Sequence, residues 1–313
     1  MHSTRLAGLG LIAVLVAACG GAGASPSSAP ASAAPVTPAA SAPVSAAPTA
    51  DACAKDSLAL VKPGVFTIGT DNPAFPPYFE FSESPTPPWE LGDPTTGGGF
   101  EGAFAYALAE RLGFAKEEVE WTVVPFNNAF APGPKAFDVD INQVSFTPER
   151  AANVDMSEGY YFVNQSVVAA KDSPIASATS IADLKSYRFG AQVGTTSFET
   201  IETVIAPTTE TSVYDTNDAA IEALKVGQID AVVVDLPTAF FITAVQYEEG
   251  TIVGQFASPE GDDAEHFSVV LNKDSALTDC VNAAIAAMKA DGALEQITTE
   301  WLSEQVDAPV LQP

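Results

Sequence analysis

Basic residues are scarce in this sequence. The 313-residue chain has 13 lysines and arginines against 40 aspartates and glutamates, which gives a formal charge of −27 at pH 7. A chain this acidic repels phosphate backbones and anionic lipid head groups, which argues against nucleic acid as a partner. The scarcity of basic residues therefore argues against a basic patch around Arg150, which follows the apolar positions Val139, Ile141 and Val144, and predicts a local partner for it.

Histidine is almost missing as well. Of the two histidines, His2 lies in the N-terminal targeting segment, and His266 alone cannot form a metal cluster. We find no H-x-x-x-H, G-x-S-x-G or C-x-x-C motif. The stretch "GGGFEG" at 97–102 has the spacing of a dinucleotide fingerprint, but a loop-like segment precedes it instead of a strand. The sequence therefore predicts no metal, no cofactor and no catalytic residue.

The N-terminus is typical of an exported chain. Arg5 precedes the apolar run "LAGLGLIAVLVAAC", which is too short to span a bilayer and fits a signal peptide over residues 1–18. "VAAC" resembles a lipobox and implies acylation of Cys19; the alternative is ordinary cleavage near Ala18. Residues 20–50 contain only Gly, Ala, Ser, Pro, Val and Thr, so we interpret 19–55 as the lipidated Cys and an extended tether. The sequence thus predicts an extracytoplasmic protein anchored to the cell membrane.

Two cysteines remain after Cys19. Cys53 lies just before the folded part, and Cys280 lies in a predicted late helix. In an exported protein an even remainder indicates a disulfide. The alternative is two free thiols, which are less common in exported chains.

The remaining chain alternates between two patterns, and its 47% hydrophobic residues suffice for a sizeable core. Helical patterns cover 100–113, 217–228, 275–292 and 293–304. Short β-branched runs predict strands at 65–70, 119–124, 140–146, 166–170, 189–194, 230–235 and 267–272. This alternation predicts an α/β fold with mainly parallel sheet.

Several polar residues follow predicted strands. Thr195 and Thr196 open a predicted helix, where free backbone N–H groups suit a carboxylate. The alternative is that a threonine simply caps this helix. Asp235 ends an apolar strand, where it suits an ammonium or caps the next helix. With Arg150 and Ser145 added, the set has the chemistry to hold a zwitterionic α-amino acid, because the arginine fork binds both oxygens of a carboxylate.

From about residue 56 to 304 the chain resembles the extracellular solute-binding proteins of ABC importers, in the polar amino-acid branch (family 3). The resemblance rests on "VFTIGTDNPAFPPYFEF", "GFEGAFAYALAERLGF", "FDVDINQVSFTPERAANVDMSEGYY", "GAQVGTTSFETI", "GQIDAVVVDLPTA" and "KADGALEQITTEWL", in this order. It implies two α/β lobes, each a mainly parallel sheet flanked by helices, that close on a ligand about two hinge crossovers. We expect lobe 1 at 56–164 and 273–313, lobe 2 at 165–272, and crossings near 163–166 and 272–275.

The resemblance also implies roles for single residues. Arg150 would bind the ligand α-carboxylate, and Asp235 would pair with the α-ammonium. Gln143 follows Asn142 where many relatives have small residues, and its amide would enter, adjoin or fill the pocket. The other implied contacts are Ser145 at the α-amino and α-carboxylate groups, Thr195 and Thr196 at the α-carboxylate, Phe75 and Phe126 beside the ligand side chain, and Asp71 at its polar end.

The function implied is the substrate-binding component of an ABC importer. The chain would capture a polar amino acid and deliver it to permease subunits in the membrane, as a monomer without catalytic activity. Two alternatives use the same scaffold. One is a catalytic relative resembling cyclohexadienyl dehydratase, with Asp71 or Glu101 as its general acid; the other is a sensory amino-acid-binding lipoprotein.

Overall fold

A computed structural model of the chain describes residues 52–257, 261, 264–302 and 308–313. The predicted signal peptide, the lipidation of Cys19 and the tether as far as residue 51 lie outside these residues. In the described part, no helix is both long enough and apolar enough to cross a bilayer.

Strands and helices alternate along the described chain. The strands are β1 Phe66–Thr70, β2 Val119–Val123, β3 Val139–Asp140, β4 Asp155–Met156, β5 Tyr161–Phe162, β6 Gln165–Ala170, β7 Phe189–Gln192, β8 Ser212–Tyr214, β9 Ala231–Asp235, β10 Gly250–Gln255, β11 His266–Phe267 and β12 Val270–Leu271. The α-helices are α1 Phe100–Arg111, α2 Phe126–Ala129, α3 Pro148–Ala151, α4 Ile181–Leu184, α5 Thr196–Thr200, α6 Asn217–Lys225, α7 Leu236–Phe241, α8 Thr278–Ala290 and α9 Ala293–Leu302. Two π-helical turns, Ile201–Ile205 and Ile242–Gln246, extend α5 and α7.

The first lobe is built on a five-stranded sheet with the order β2-β1-β3-β12-β4. Strand β1 pairs in parallel with β2 and β3, and all five of its residues are buried. Its side chains Phe66 and Ile68 share a hydrophobic core with Phe104 and Leu108 of α1 and Ile285 of α8. Burial of these apolar side chains is the main stabilising contribution to this lobe.

A disulfide joins Cys53 to Cys280 of α8 in the first lobe, with 5.4 Å between the two Cα atoms. The bond links positions 227 residues apart and ties the start of the described chain to the core. Cys280 is buried, and Cys53 packs against the same hydrophobic cluster.

The second lobe has its own five-stranded sheet, in the order β10-β6-β9-β7-β8. Strand β7 is parallel to β8 and β9, and β6 is antiparallel to β9 and β10. In the first sheet β12 is likewise antiparallel to β3 and β4. Both five-stranded sheets therefore mix parallel and antiparallel pairs. Each antiparallel pair within them contains β6 or β12, the first strand of its sheet after a crossing.

The two crossing segments run side by side. Strand β5 pairs antiparallel with β11, and the amide of Val163 donates to the carbonyl of Glu265 at 3.1 Å. The return crossing was predicted at 272–275, but the structure places it earlier in the chain, at β11. Strand β12 at Val270–Leu271 already belongs to the first sheet. The strand predicted at 267–272 is divided in the structure, because Phe267 pairs with β5 and Val270–Leu271 pairs with β3 and β4.

The last described residues, 308–313, pack on the second lobe. Val310 bridges Gln255, and Gln312 bridges Ser180. Leu311 is buried in a second-lobe cluster with Val253. The expectation that all of 273–313 belongs to the first lobe is therefore wrong for this tail, because its buried leucine packs against the second sheet.

Candidate functional site

Arg150 reaches from the first lobe to the second. It lies in α3, which begins after Thr147, whose Oγ1 accepts a hydrogen bond from the Arg150 amide at 3.2 Å. Its guanidinium donates to the carbonyl of Ser145 at 2.6 Å and, across the cleft, to the carbonyl of Gly194 at 2.8 Å. Only 7% of the residue is exposed.

The charge of Arg150 survives this burial. Desolvation lowers its pKa to about 10, against the opposing influence of Glu265 and Asp235. The guanidinium lies 4.4 Å from the ring centroid of Phe130 and 5.5 Å from that of Phe126, which favours a cation at this position. Arg150 is therefore a buried cation at neutral pH, hydrogen-bonded to two neutral carbonyls.

The two threonines of the second lobe have different surroundings. Thr195 caps α5: its hydroxyl accepts from the amide of Phe198 at 3.1 Å and donates to the carbonyl of Gln192 at 2.8 Å. The hydroxyl of Thr196 has only long contacts, 3.5 Å to Ser145 Oγ and 3.4 Å to Gln165 Nε2. Thr195 thus shapes the helix start, whereas Thr196 has hydrogen-bonding capacity left for a ligand.

Asp235 is not used as a helix cap. It precedes α7, yet its side chain makes no capping bond and instead accepts from Gln165 Nε2 at 2.6 Å. Burial and the nearby Glu265 carboxylate hold the pKa of Asp235 well above its ordinary value. A cation close to Asp235 would offset both effects.

Gln143 is tied into the wall of the cleft. Its backbone has a φ of +48°, and its amide donates to Glu101 Oε1 at 2.7 Å. Its side chain and the hydroxyl of Tyr160 also donate to Glu101. Burial raises the pKa of this enclosed carboxyl to about 7. Glu101, the alternative general acid, has both oxygens engaged in this network and is not among the residues that line the cavity.

The opposite end of the cleft is polar and acidic. Asp71 accepts from the amide of Asn72 at 2.7 Å, and burial raises its pKa. Asn142 is 6% exposed, and its Nδ2 has no hydrogen-bond partner within the described residues. The Phe75 ring packs edge-on against Phe241 of the second lobe, 5.6 Å between centroids.

One cavity between the lobes collects most of the predicted side chains. Ser145 contacts its lining residue Thr196, and Arg150 lies with Thr195 and Thr196 around an adjoining opening. None of the described residues that line it carries a positive charge. Among the predicted residues, the lining includes Asp71, Phe75, Phe126, Gln143, Thr195, Thr196 and Asp235, and it further includes Asn142, Gln192, Asn217 and Asp218.

Two central residues of the site, Gln165 and Glu265, were not predicted from the sequence. Gln165 opens β6, is 4% exposed, and contacts side chains from three segments. Glu265 comes from the return crossing and accepts from Ser145 Oγ at 2.7 Å. The only sequence signal was a glutamine at the start of the apolar run "SVVAA"; the contacts themselves arise from tertiary structure.

Comparison with known proteins identifies the class. A family model described as bacterial extracellular solute-binding proteins, family 3, matches residues 81–304, which is more than half of the chain. The chain belongs to this family, and its two-lobe fold agrees with the assignment.

Individual relatives bind amino acids. The arginine-binding extracellular protein ArtP of Bacillus subtilis is 29% identical over 209 residues, covering 66% of this chain and 78% of ArtP. The L-cystine-binding protein TcyJ of Escherichia coli is 29% identical over 229 residues, covering 72% of this chain and 82% of TcyJ. A solved structure of an ancestral arginine-binding protein bound to glutamine aligns with a TM-score of 0.62 at 28% identity, covering 76% and 98% of the two chains.

Proposed function

We propose that this protein is the substrate-binding component of an ABC importer. It captures an amino acid between its lobes outside the membrane and delivers it to permease subunits. The acylated Cys19 and the tether hold the monomer at the cell membrane. The amino-acid-binding relatives and the export signals in the sequence support this proposal.

The observation that carries the proposal is the meeting of opposite charges across one cleft. Arg150 offers a cation from the first lobe, and Asp235 offers a carboxylate at the wall of the second. The guanidinium has five N–H donors, of which two hydrogen bonds to carbonyls use only part. The remaining donors, with Ser145 and Thr196, suit an α-carboxylate, while Asp235 suits an α-ammonium.

The side-chain end of the cleft supports a polar ligand. Asp71 comes from the first lobe and Asp218 from the second, and both line the cavity. Asn142 adds an amide without a partner in the described part of the chain. Donor-rich side chains, such as an amide or a guanidinium, complement this lining better than an acidic side chain does.

Calorimetry of the purified protein with the twenty free amino acids tests the proposal. We expect binding of at least one polar amino acid, and its loss in Arg150→Ala, because removing one partner of a buried charge pair costs about 2–5 kcal/mol. Arg111→Ala is the matched control, since Arg111 pairs with Asp291 away from the cleft. No heat with any amino acid, or unchanged binding in Arg150→Ala, would contradict it.

A further inference from the structure

The neutral side-chain amide of Gln165 lies between the carboxylates of Asp235 and Glu265, beside the cavity between the lobes. Gln165 Nε2 is 2.6 Å from Asp235 Oδ1 and 3.1 and 3.3 Å from the two oxygens of Glu265. Thr196 Oγ1 is a further neighbour at 3.4 Å. The amide nitrogen has two hydrogens for the three carboxylate oxygens, and Ser145 Oγ supplies one further donor to Glu265. The two carboxylates together can accept more hydrogen bonds than these donors provide.

The charges at this point are also unbalanced. Arg150 is the neighbouring cation, but the hydrogen bonds of its guanidinium within the described residues go to carbonyls of Ser145 and Gly194. Two acidic side chains therefore face one arginine, and the neutral amide between them cannot balance the charge of either when it is ionised. Neighbouring carboxylates that share one cation gain from a further cation with several hydrogen-bond donors.

A separate observation favours a polar ligand in the cavity that Asp235 lines, which adjoins Gln165 and Glu265 at Thr196. Asn142 lines the cavity with Asp235, and its Nδ2 is buried without a partner in the described part of the chain. Buried donors are almost always paired in folded proteins. An incoming ligand with both acceptor and donor groups would satisfy Asn142 and the carboxylates together.

We propose that Glu265 is a ligand-binding residue, and that Asp235 and Glu265 together receive the α-ammonium of the bound amino acid. The inference rests on the proposed function above and adds a residue from the return crossing to it. An ammonium has three N–H donors, enough for one oxygen of each carboxylate and the hydroxyl of Thr196 or Ser145. The backbone of Glu265 pairs with Val163 in the crossing segments. Binding of the ammonium would therefore link the ligand directly to the hinge between the lobes.

If Glu265 instead competes with the ligand for Ser145, the predicted change in affinity has the opposite sign. Its carboxylate already accepts from Ser145 Oγ, one of the donors proposed for the ligand carboxylate. If Glu265 only occupied that place, it would compete with the ligand, and removing its charge would tighten binding. The sign of the effect therefore separates the two roles.

Proton release gives an independent signature. Several titratable groups surround the pair: Arg150, Glu101, Tyr78, Tyr161 and Glu199, with His266 adjacent in the chain. Since the pKa of Asp235 is well above its ordinary value without a ligand, an arriving ammonium would lower it and expel a proton. We expect the affinity to rise with pH until Asp235 is ionised in the free protein.

The decisive variant is Glu265→Gln, which keeps the shape and removes the charge. The ligands are the tightest-binding amino acid of the panel and the acid with hydrogen in place of its α-amino group: for arginine, 5-guanidinopentanoate, and for glutamine, 4-carbamoylbutanoate. We expect the amino acid to bind about tenfold to a hundredfold more weakly, as for a lost hydrogen bond to a charged group. The deaminated acid should bind Glu265→Gln as it binds the wild type.

Glu199→Gln is the matched control. Glu199 is an exposed carboxylate that acts on Arg150 through space, and we expect its variant to bind the amino acid as the wild type does. Tighter or unchanged binding of the amino acid by Glu265→Gln would overturn the proposal. A wild type that binds no amino acid contradicts the proposed function itself, which the first titration reveals before any variant is compared.

Titrations of the wild type in phosphate and in Tris give a second test, which does not depend on the folding of a variant. The two buffers differ in ionisation enthalpy, so the difference in binding heat counts the protons released. We expect release of up to about one proton at neutral pH. Equal heats in both buffers at every pH between 5 and 8 would contradict the proton release from Asp235, and the affinity of Glu265→Gln then decides the role of Glu265.

Discussion

The guanidinium of Arg150 donates to the backbone carbonyl of Gly194 across the cleft, at 2.8 Å. The first lobe thus touches the second at the turn before α5. Gly194 has a φ of +76°, and a Cβ atom on it would collide with Asn127 Oδ1 of the first lobe. The two lobes can approach at this point because the residue has no side chain.

Gly194→Ala should therefore impair closure. We expect at least a tenfold loss of amino-acid affinity, with a larger radius of gyration at saturating ligand in X-ray scattering, because the added methyl meets Asn127. Gly227→Ala is the matched control: its φ is +71°, but nothing lies within 4 Å of an added Cβ. This control should lose about 1 kcal/mol of stability from backbone strain and keep its affinity. Equal affinities for both variants would show that the contact does not limit closure.

The Glu101 network predicts a pH effect on stability. Burial raises the pKa of Glu101 from 4.5 to about 7 in the folded protein. The folded protein then binds this proton more tightly than the unfolded chain, so the contribution to stability is full below about pH 4.5 and is lost as the pH rises to about 7. We expect the melting temperature of Glu101→Gln, relative to that of the wild type, to improve from pH 5 to pH 8. A constant difference in melting temperature between the variant and the wild type from pH 5 to pH 8 would be evidence against a titrating Glu101.

The disulfide should stabilise the protein without affecting the ligand. Cys53→Ser combined with Cys280→Ser removes a link between residues 227 apart, which typically costs about 2–4 kcal/mol of unfolding free energy. Both cysteines lie in the first-lobe core, so amino-acid affinity should change less than about twofold. Chemical denaturation followed by tryptophan fluorescence measures the first quantity and calorimetry the second. An unchanged denaturation midpoint would contradict the stabilising role.

Ligand selectivity should follow the carboxylates at the side-chain end of the cleft. Asp71 and Asp218 favour donors on the ligand, so glutamine should bind more tightly than its isosteric acid, glutamate, by about tenfold or more. Asp71→Asn should narrow this ratio by removing one repelling charge. Competition titrations of the two ligands give the ratio directly, and a preference for glutamate in the wild type would oppose this account.

Strong local patterns predicted most of the fold. Strands β1, β6 and β9 are runs rich in β-branched and apolar residues, and helices α1, α8 and α9 are longer apolar segments, so the sequence identifies them without tertiary information. Strands β4, β5 and β8 were missed because they have only two or three residues, and β10 was missed because Gly250 and Gly254 interrupt its apolar run. The predicted strand at 140–146 stops at Asp140, since Glu101, 42 residues earlier in the chain, holds Gln143 in a left-handed backbone conformation.

The site was predicted less completely than the fold. The motif residues Arg150, Thr196 and Asp235 follow strands, where sequence spacing points to them. Gln165 and Glu265 lie on the crossing segments and meet only because β5 and β11 run side by side. No local pattern encodes that contact, because the two residues are 100 positions apart in the chain.

The central claim is that Arg150 holds the α-carboxylate of an amino acid. The most direct measurement is calorimetry of the wild type and Arg150→Lys, each with the tightest-binding amino acid and with the amine that lacks its carboxylate. Because lysine cannot reproduce the two-pronged contact, we predict a loss of about 2 kcal/mol or more for the amino acid and little change for the amine. Equal losses for both ligands, or an amine that binds the wild type as tightly as the amino acid, would contradict the account.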